Sequence, residues 1–193
     1  MRNKLIYLLY VTVSILPDIR ILKFWFNFII KLRPKVLNLL DTMYISKNVH
    51  IYSNVRISRM SNLIINNNVC IKENCTIGGN CTIGENTLIL ANTKIDASGE
   101  VIIGKNTHIG RENDIYSHSH DVSNKAILVN ESKEIFQKTI IGDNVMLFSR
   151  VGIMSGVTLE DNVVIGYGSV VTKDCSANCI YAGVPSKKIG ERK

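Results

Sequence analysis

Apolar residues, most of them isoleucine, recur every six positions along this chain. They stand at Ile45, Ile51 and Ile57, then at Ile65, Ile71, Ile77, Ile83, Ile89 and Ile95. The series resumes at Ile103, Ile109 and Ile115, and again at Ile141, Leu147, Ile153, Leu159, Ile165 and Val171. A period of six fits neither an amphipathic helix nor a simple alternating strand. A short fixed repeat marks a solenoid, whose units bury their apolar side only by stacking on neighbours. Each hexapeptide then makes one short strand and a corner, and three hexapeptides close a triangular coil of 18 residues.

The other repeat positions agree. The fourth is Asn at 48, 54, 68, 74, 80, 86, 92, 106, 144 and 162, and Gly at 156 and 168. A sharp corner needs a residue that tolerates positive φ, which Asn and Gly do best. The fifth position is small or β-branched, as in Val49, Cys75, Cys81, Thr107, Val163 and Cys175. The breaks are regular too: steps of 8 from Ile57 to Ile65 and from Ile95 to Ile103, and of 26 from Ile115 to Ile141. Each follows three units or a multiple of three, so every excursion leaves the same corner of the prism.

The unit Ile-Gly-x-Asn appears as Ile77-Gly78-Gly79-Asn80, Ile83-Gly84-Glu85-Asn86, Ile103-Gly104-Lys105-Asn106 and Ile141-Gly142-Asp143-Asn144. With it, the chain resembles the hexapeptide-repeat acyltransferases over roughly residues 45–190. The resemblance implies an all-β fold, a left-handed parallel β-helix of about six triangular coils. It also implies homotrimers with active sites between neighbouring prisms. The expected organisation is a basic, apolar helical segment at 1–43 and a β-helix domain at 44–193, with a loop at 116–140 and a C-terminal tail at 175–193.

Charge is unevenly spread. The formal net charge is +7, and residues 1–43 hold seven Lys and Arg against Asp18 and Asp41. Leu5–Leu16 and Ile19–Leu32 read as two helices parted by Pro17. The first apolar run is short of the ~20 residues that span a bilayer. Two readings stay open for this segment: a cap over the open end of the solenoid, or a basic amphipathic surface on an anionic membrane with Phe24, Trp25, Phe26 and Phe28 at the interface. Basic residues interleaved with dense apolar sequence, without a recognition motif, argue against nucleic acid. The five cysteines lack paired zinc spacing, and Cys75, Cys81 and Cys175 fill the small-residue slot, so they read as structural thiols. An odd count with no secretory signal points to the cytoplasm, with contact to the inner face of the membrane left open.

The longest excursion begins Tyr116-Ser117-His118-Ser119-His120-Asp121. In maltose-, galactoside- and nodulation-type sugar acetyltransferases an aromatic-x-x-x-His motif follows the corresponding coil. That resemblance aligns His120 with the family's catalytic histidine. An imidazole with an ordinary pKa of about 6.5 can take the proton of a sugar hydroxyl as it attacks a thioester. His118, Glu112 and Asp114 are candidates for acceptor binding or for orienting His120. Ser117 and Ser119 read as loop hydrogen-bonders, and His50 and His108 as solvent-facing repeat residues. Glu112 stands where the family often has Asn, which bears on the acceptor rather than on the reaction.

The stretch Gly168-Ser169-Val170-Val171-Thr172-Lys173-Asp174 and the later Ala182-Gly183-Val184-Pro185 are specific to the same family, whose last coils bind coenzyme A. Ser149 and Tyr167 are 18 residues apart and so stack on one face, where a pantetheine arm could run. Lys173 and Lys187 are candidates for the coenzyme phosphates. Met146, Phe148, Arg150 and Tyr167 depart from the usual residues of this groove. The implied activity is transfer of an acetyl group from acetyl-CoA to a hydroxyl of a sugar or surface-glycan precursor, without a metal. The alternatives are a small acceptor such as serine or an antibiotic hydroxyl and, on the same fold, a γ-carbonic-anhydrase-like zinc enzyme. His118-x-His120 does not match the ligand spacing of the last.

Overall fold

The computed structural model describes residues 2–15, 23–40, 42–58 and 61–193. Two helices, α1 (Arg2–Ile15) and α2 (Lys23–Leu37), precede a solenoid of parallel strands. The isoleucine series forms three ladders. On the first face Ile45 pairs with Ile65, Ile65 with Ile83, Ile83 with Ile103, Ile103 with Ile141 and Ile141 with Leu159. Ile51, Ile71, Ile89, Ile109, Leu147 and Ile165 line the second face. Ile57, Ile77, Ile95, Ile115, Ile153 and Val171 line the third. All eighteen are buried, with exposures of 0–4%. The prism interior is therefore a continuous stack of branched side chains.

Coils one to six run Ile45–Ile57, Ile65–Ile77, Ile83–Ile95, Ile103–Ile115, Ile141–Ile153 and Leu159–Val171. The solenoid has about seven turns, not six. Cys175 bridges to Leu159, and Ile180 and Tyr181 pair with Val164 and Ile165, which adds an incomplete seventh coil. The six-residue spacing lapses there, so the extra turn carries no isoleucine signal. The final strand, Lys187–Glu191, returns antiparallel to Cys179–Ala182.

Asparagine builds the corners as expected. Asn48, Asn68, Asn86, Asn106, Asn144 and Asn162 all have φ between 55° and 62°. Their amides also form a hydrogen-bonded ladder, with Asn68 Nδ2 donating to Asn86 Oδ1 at 3.0 Å and Asn144 Nδ2 to Asn162 Oδ1 at 2.7 Å. Asn80 is the exception. It lies in a continuous strand, Thr76–Ile83, and Gly79 takes the positive φ of 90° instead. The third corner is where excursions leave; in coil two the chain stays extended through it, whereas in coil five Gly156 turns at the fourth position with φ 81°. Glycine after isoleucine has a different cause: a Cβ on Gly84 would lie 2.5 Å from Lys105 N in the next coil.

The helices cover the open end of coil one. The Tyr10 hydroxyl donates to Val55 O at 2.8 Å, Tyr7 to Ile57 O at 3.1 Å, and the buried Arg33 Nη1 to Ile51 O at 3.1 Å. These carbonyls lie where a preceding coil would have paired, so three side chains replace a missing strand layer. Burial pushes the Tyr10 phenol above its usual range despite the nearby Arg33. Helix α2 extends past the expected Leu32 and through Pro34. Burial of Pro34, Val36 and Leu37 against the prism end outweighs the hydrogen bond that proline removes. Pro17 and the side chains of Phe24, Trp25, Phe26 and Phe28 lie outside the described residues. The outer face of α1 leaves Leu5, Leu8 and Leu9 at 70%, 61% and 50% exposure. Among the described residues, no helix is long and apolar enough to cross a membrane.

Candidate active site

The excursion after coil four is a β-hairpin. His118–His120 pairs antiparallel with Glu134–Phe136, matching His120 to Glu134 and His118 to Phe136. Its root is clamped by Ser117, whose buried hydroxyl donates to Asp96 O at 2.9 Å and accepts from Gly99 N at 2.8 Å. Gly99 has no alternative there, since a Cβ would collide with Ser117 O. Rigid coils beneath thus fix the direction in which both histidines project.

His120 is exposed on this hairpin, with Nδ1 3.3 Å from Ser132 Oγ. The Ser132 hydroxyl has one proton, which it donates to Val129 O at 2.7 Å. With that proton engaged, Ser132 Oγ can accept a hydrogen bond from Nδ1–H. That arrangement fits the tautomer in which Nε2 carries the free lone pair.

His118 is half-buried, and its Nδ1 lies 3.1 Å from Asp96 Oδ2, at ion-pair distance but bent away from hydrogen-bond geometry. Its ring meets His120 edge-on, with centroids 6.0 Å apart, and packs near Tyr116 and Phe136. Burial works to raise the Asp96 carboxyl, but the Ser98 hydroxyl and amide, with His118, outweigh it and hold the group below its usual range. Asp96 sits under Tyr116 in the ladder. Nothing in the repeat pattern singled it out; the 8-residue step that follows Ile95 was the available signal.

Glu112 and Asp114 do not join His120 within the chain. Glu112 occupies the corner before the last strand of coil four, and its Oε2 accepts from Arg150 Nε at 2.8 Å. Arg150 in turn lies over the Tyr167 ring, 5.9 Å from its centroid. The hydrogen bond and charge of Glu112 raise the Arg150 guanidinium above its ordinary value. Both Glu112 and Arg150 hold positive φ, 59° and 61°, at a corner otherwise made by Asn54, Asn74, Asn92 and Gly168. Their shared place in the repeat on adjacent coils would have predicted the contact. Asp114 is half-buried in the third-face strand.

Ser149 and Tyr167 do stack at one corner: Gly168 N donates to Ser149 O at 3.1 Å, and Ser149 Oγ accepts from Arg111 N at 3.2 Å. Tyr167 is 62% exposed, and Phe148 beside it 46%. Lys173 and Lys187 are exposed, on the segment after coil six and on the final strand. His50 and His108 are half-buried rather than fully solvent-facing. The five thiols are free, and burial pushes Cys75 up to about 11 and Cys81 and Cys175 up to about 12. Such thiols are poor nucleophiles near neutrality. Among the described residues, no group of three or more His, Cys, Asp or Glu side chains is placed to hold a metal ion.

The chain is thus a triangular prism of hexapeptide coils, with a hairpin carrying His118 and His120 after the fourth coil. The bacterial transferase hexapeptide family (six repeats) matches residues 138–173. Galactoside O-acetyltransferase of Escherichia coli (strain K12) is 55% identical over 51 residues, 26% of this chain and 25% of that protein. A chloramphenicol acetyltransferase of Agrobacterium fabrum is 43% identical over 54 residues, 28% of this chain and 26% of that one. These matches span only about a quarter of the relatives' length. A mutant of AntD, an N-acyltransferase from Bacillus cereus in complex with dTDP and coenzyme A, superposes with a TM-score of 0.73 at 25% identity, covering 82% of this chain and 88% of that one. A maltose O-acetyltransferase from Clostridium difficile shares the fold over 100% of this chain and 87% of its own, with a TM-score of 0.69 at 24% identity.

Proposed function

We propose that the chain is an acetyl-CoA-dependent O-acetyltransferase whose acceptor is a hydroxyl of a sugar or glycan precursor. The observation that carries this reading is the Ser132–His120 contact, which fits the tautomer with Nε2 free to accept a proton. His120 Nε2 takes the acceptor's hydroxyl proton as that oxygen forms a bond to the thioester carbonyl. The carbon–sulfur bond then breaks, and the imidazolium returns the proton to the leaving thiolate. Backbone N–H groups of the re-entry coil stabilise the oxyanion. Acetyl-CoA supplies the activated acetyl group, and the Ser149–Tyr167 corner, Lys173 and Lys187 fit its arm and phosphates.

The site is completed by a second copy of the chain. The hairpin leaves the corner between the third and first faces, whereas Ser149 and Tyr167 stand at the corner between the second and third. A closed trimer would set the hairpin of one prism against the coenzyme corner of the next. His118 and Asp96 steady the hairpin, and the Glu112–Arg150 pair lies where the acceptor approaches. Cytoplasmic location belongs to this reading, because acetyl-CoA is made there.

The test is acetyl-CoA-dependent thiol release over a panel of sugars and glycan precursors, with serine and chloramphenicol included. Sugar-dependent release that survives chelation is expected. Release with serine or chloramphenicol alone reassigns the acceptor, and none with any acceptor sinks the reading.

The exposed leucines of α1, on a segment rich in Lys and Arg, support peripheral contact of the cap with an anionic membrane. Leu5→Ser combined with Leu8→Ser should abolish co-sedimentation with phosphatidylglycerol vesicles; unchanged sedimentation removes that contact.

A further inference from the structure

Between α2 and the first corner of coil one lies a cavity of about 790 Å³. Lys31 and Lys35 enter it from successive turns of α2, and Lys47 and His50 from the coil. Tyr44 and Asn67 are among the neutral residues of its walls, and no Asp or Glu lines it. None of the three lysines forms an ion pair among the described residues. Lys31 and Lys35 are four residues apart on one helix face, where like charges repel. The field is felt inside: burial first, then the Lys31 and Lys72 ammoniums, hold the His50 imidazole below its usual range. Asn38 shapes the cavity, with its amide held in place by donating to Ile45 O and accepting from Ile45 N, both at 2.6 Å.

Three lysines without a counter-charge, lining one concave site of ligand size, suit a compact multivalent anion. We propose that this cavity is a phosphate-binding site, with Lys31, Lys35 and Lys47 as the charged donors and Asn67 as a neutral one. It lies three coils from the hairpin, about 15 Å at the usual strand spacing. It does not depend on the acyl-transfer reading. The phosphate could belong to a soluble phosphorylated sugar or to a phospholipid headgroup. Both fit the same ammonium groups, and the exposed leucines of α1 at this end of the prism make the second source concrete.

The test uses the full chain. Titration with inorganic pyrophosphate, followed by calorimetry, should show saturable binding. Lys31→Gln and Lys47→Gln should each weaken it by about tenfold, as the loss of one charge-assisted contact does. Lys125→Gln, on the distant hairpin loop, should leave it unchanged. In parallel, vesicles of phosphatidylcholine, with and without phosphatidylglycerol, are co-sedimented with the same proteins. Lysine-dependent pyrophosphate binding supports the site with a soluble source. Lysine-dependent binding to the anionic vesicles alone supports it with a lipid source. Equal losses in all three variants mean diffuse charge and overturn it, as does binding to neither probe.

Discussion

Replacing His120 with alanine should lower turnover in the thiol-release assay by about 10²–10⁴-fold, the range general-base assistance supplies. Coenzyme affinity should hold, because the residues proposed to bind it, Ser149, Tyr167, Lys173 and Lys187, lie on other elements. The hairpin should stay folded as well. His120 is exposed, and its strand is held by main-chain pairing with Glu134–Phe136 and by the Ser117 clamp. Ser132→Ala gives a graded version of the same effect. Without that oxygen Nδ1–H loses its acceptor, so kcat should fall while KM for the acceptor changes little. Near-normal turnover in His120→Ala would remove His120 from the chemistry and leave His118, beside Asp96, as the next base to test. Subunit sharing can be checked in the same assay. Mixing His120→Ala chains with chains disabled at Tyr167 should restore part of the activity, because some interfaces then pair an intact hairpin with an intact coenzyme corner.

The largest stability effect is expected in the ladders. Ile103 is 1% exposed and stacks between Ile83 and Ile141. Ile103→Ala should cost about 2–5 kcal/mol, the transfer term plus a cavity the neighbouring coils cannot collapse. Each strand is fixed by main-chain bonds above and below, as where Gly84 N donates to Ile103 O and Gly104 N to Ile141 O. The midpoint of guanidinium unfolding reports it. Ile127→Ala, 47% exposed on the hairpin loop, should shift the same midpoint by no more than about 0.5 kcal/mol. Equal effects at the two positions would mean that coil four is not part of the cooperative unit.

These predictions differ in what they draw on. Ile103 was readable as a ladder residue from spacing alone, since a period of six over eighteen positions admits one stacking. Asn80 was misread because coil two runs extended through its third corner, where Gly79 takes the positive φ instead. The seventh coil was missed because Cys175 and Ile180 break the period. In the candidate site, the spacing located the loop, and the family motif singled out His120. The contacts around it join residues far apart in sequence. Ser132 returns to His120 across the hairpin, Asp96 lies one coil below His118, and Arg150 reaches Glu112 across the whole excursion.

By itself, the sequence determined the prism, its asparagine corners and the corner from which the hairpin leaves. A buried side chain of the wrong size or period would be felt in every coil, so these features are written redundantly. Only the tertiary structure decided the contact of His120 with Ser132, the pairing of Glu112 with Arg150, the cap of Tyr7, Tyr10 and Arg33, and the uncompensated lysines beside α2. Each depends on a single register or a single packed helix, and hydrogen bonds act over about 3 Å, a distance that residue spacing does not encode.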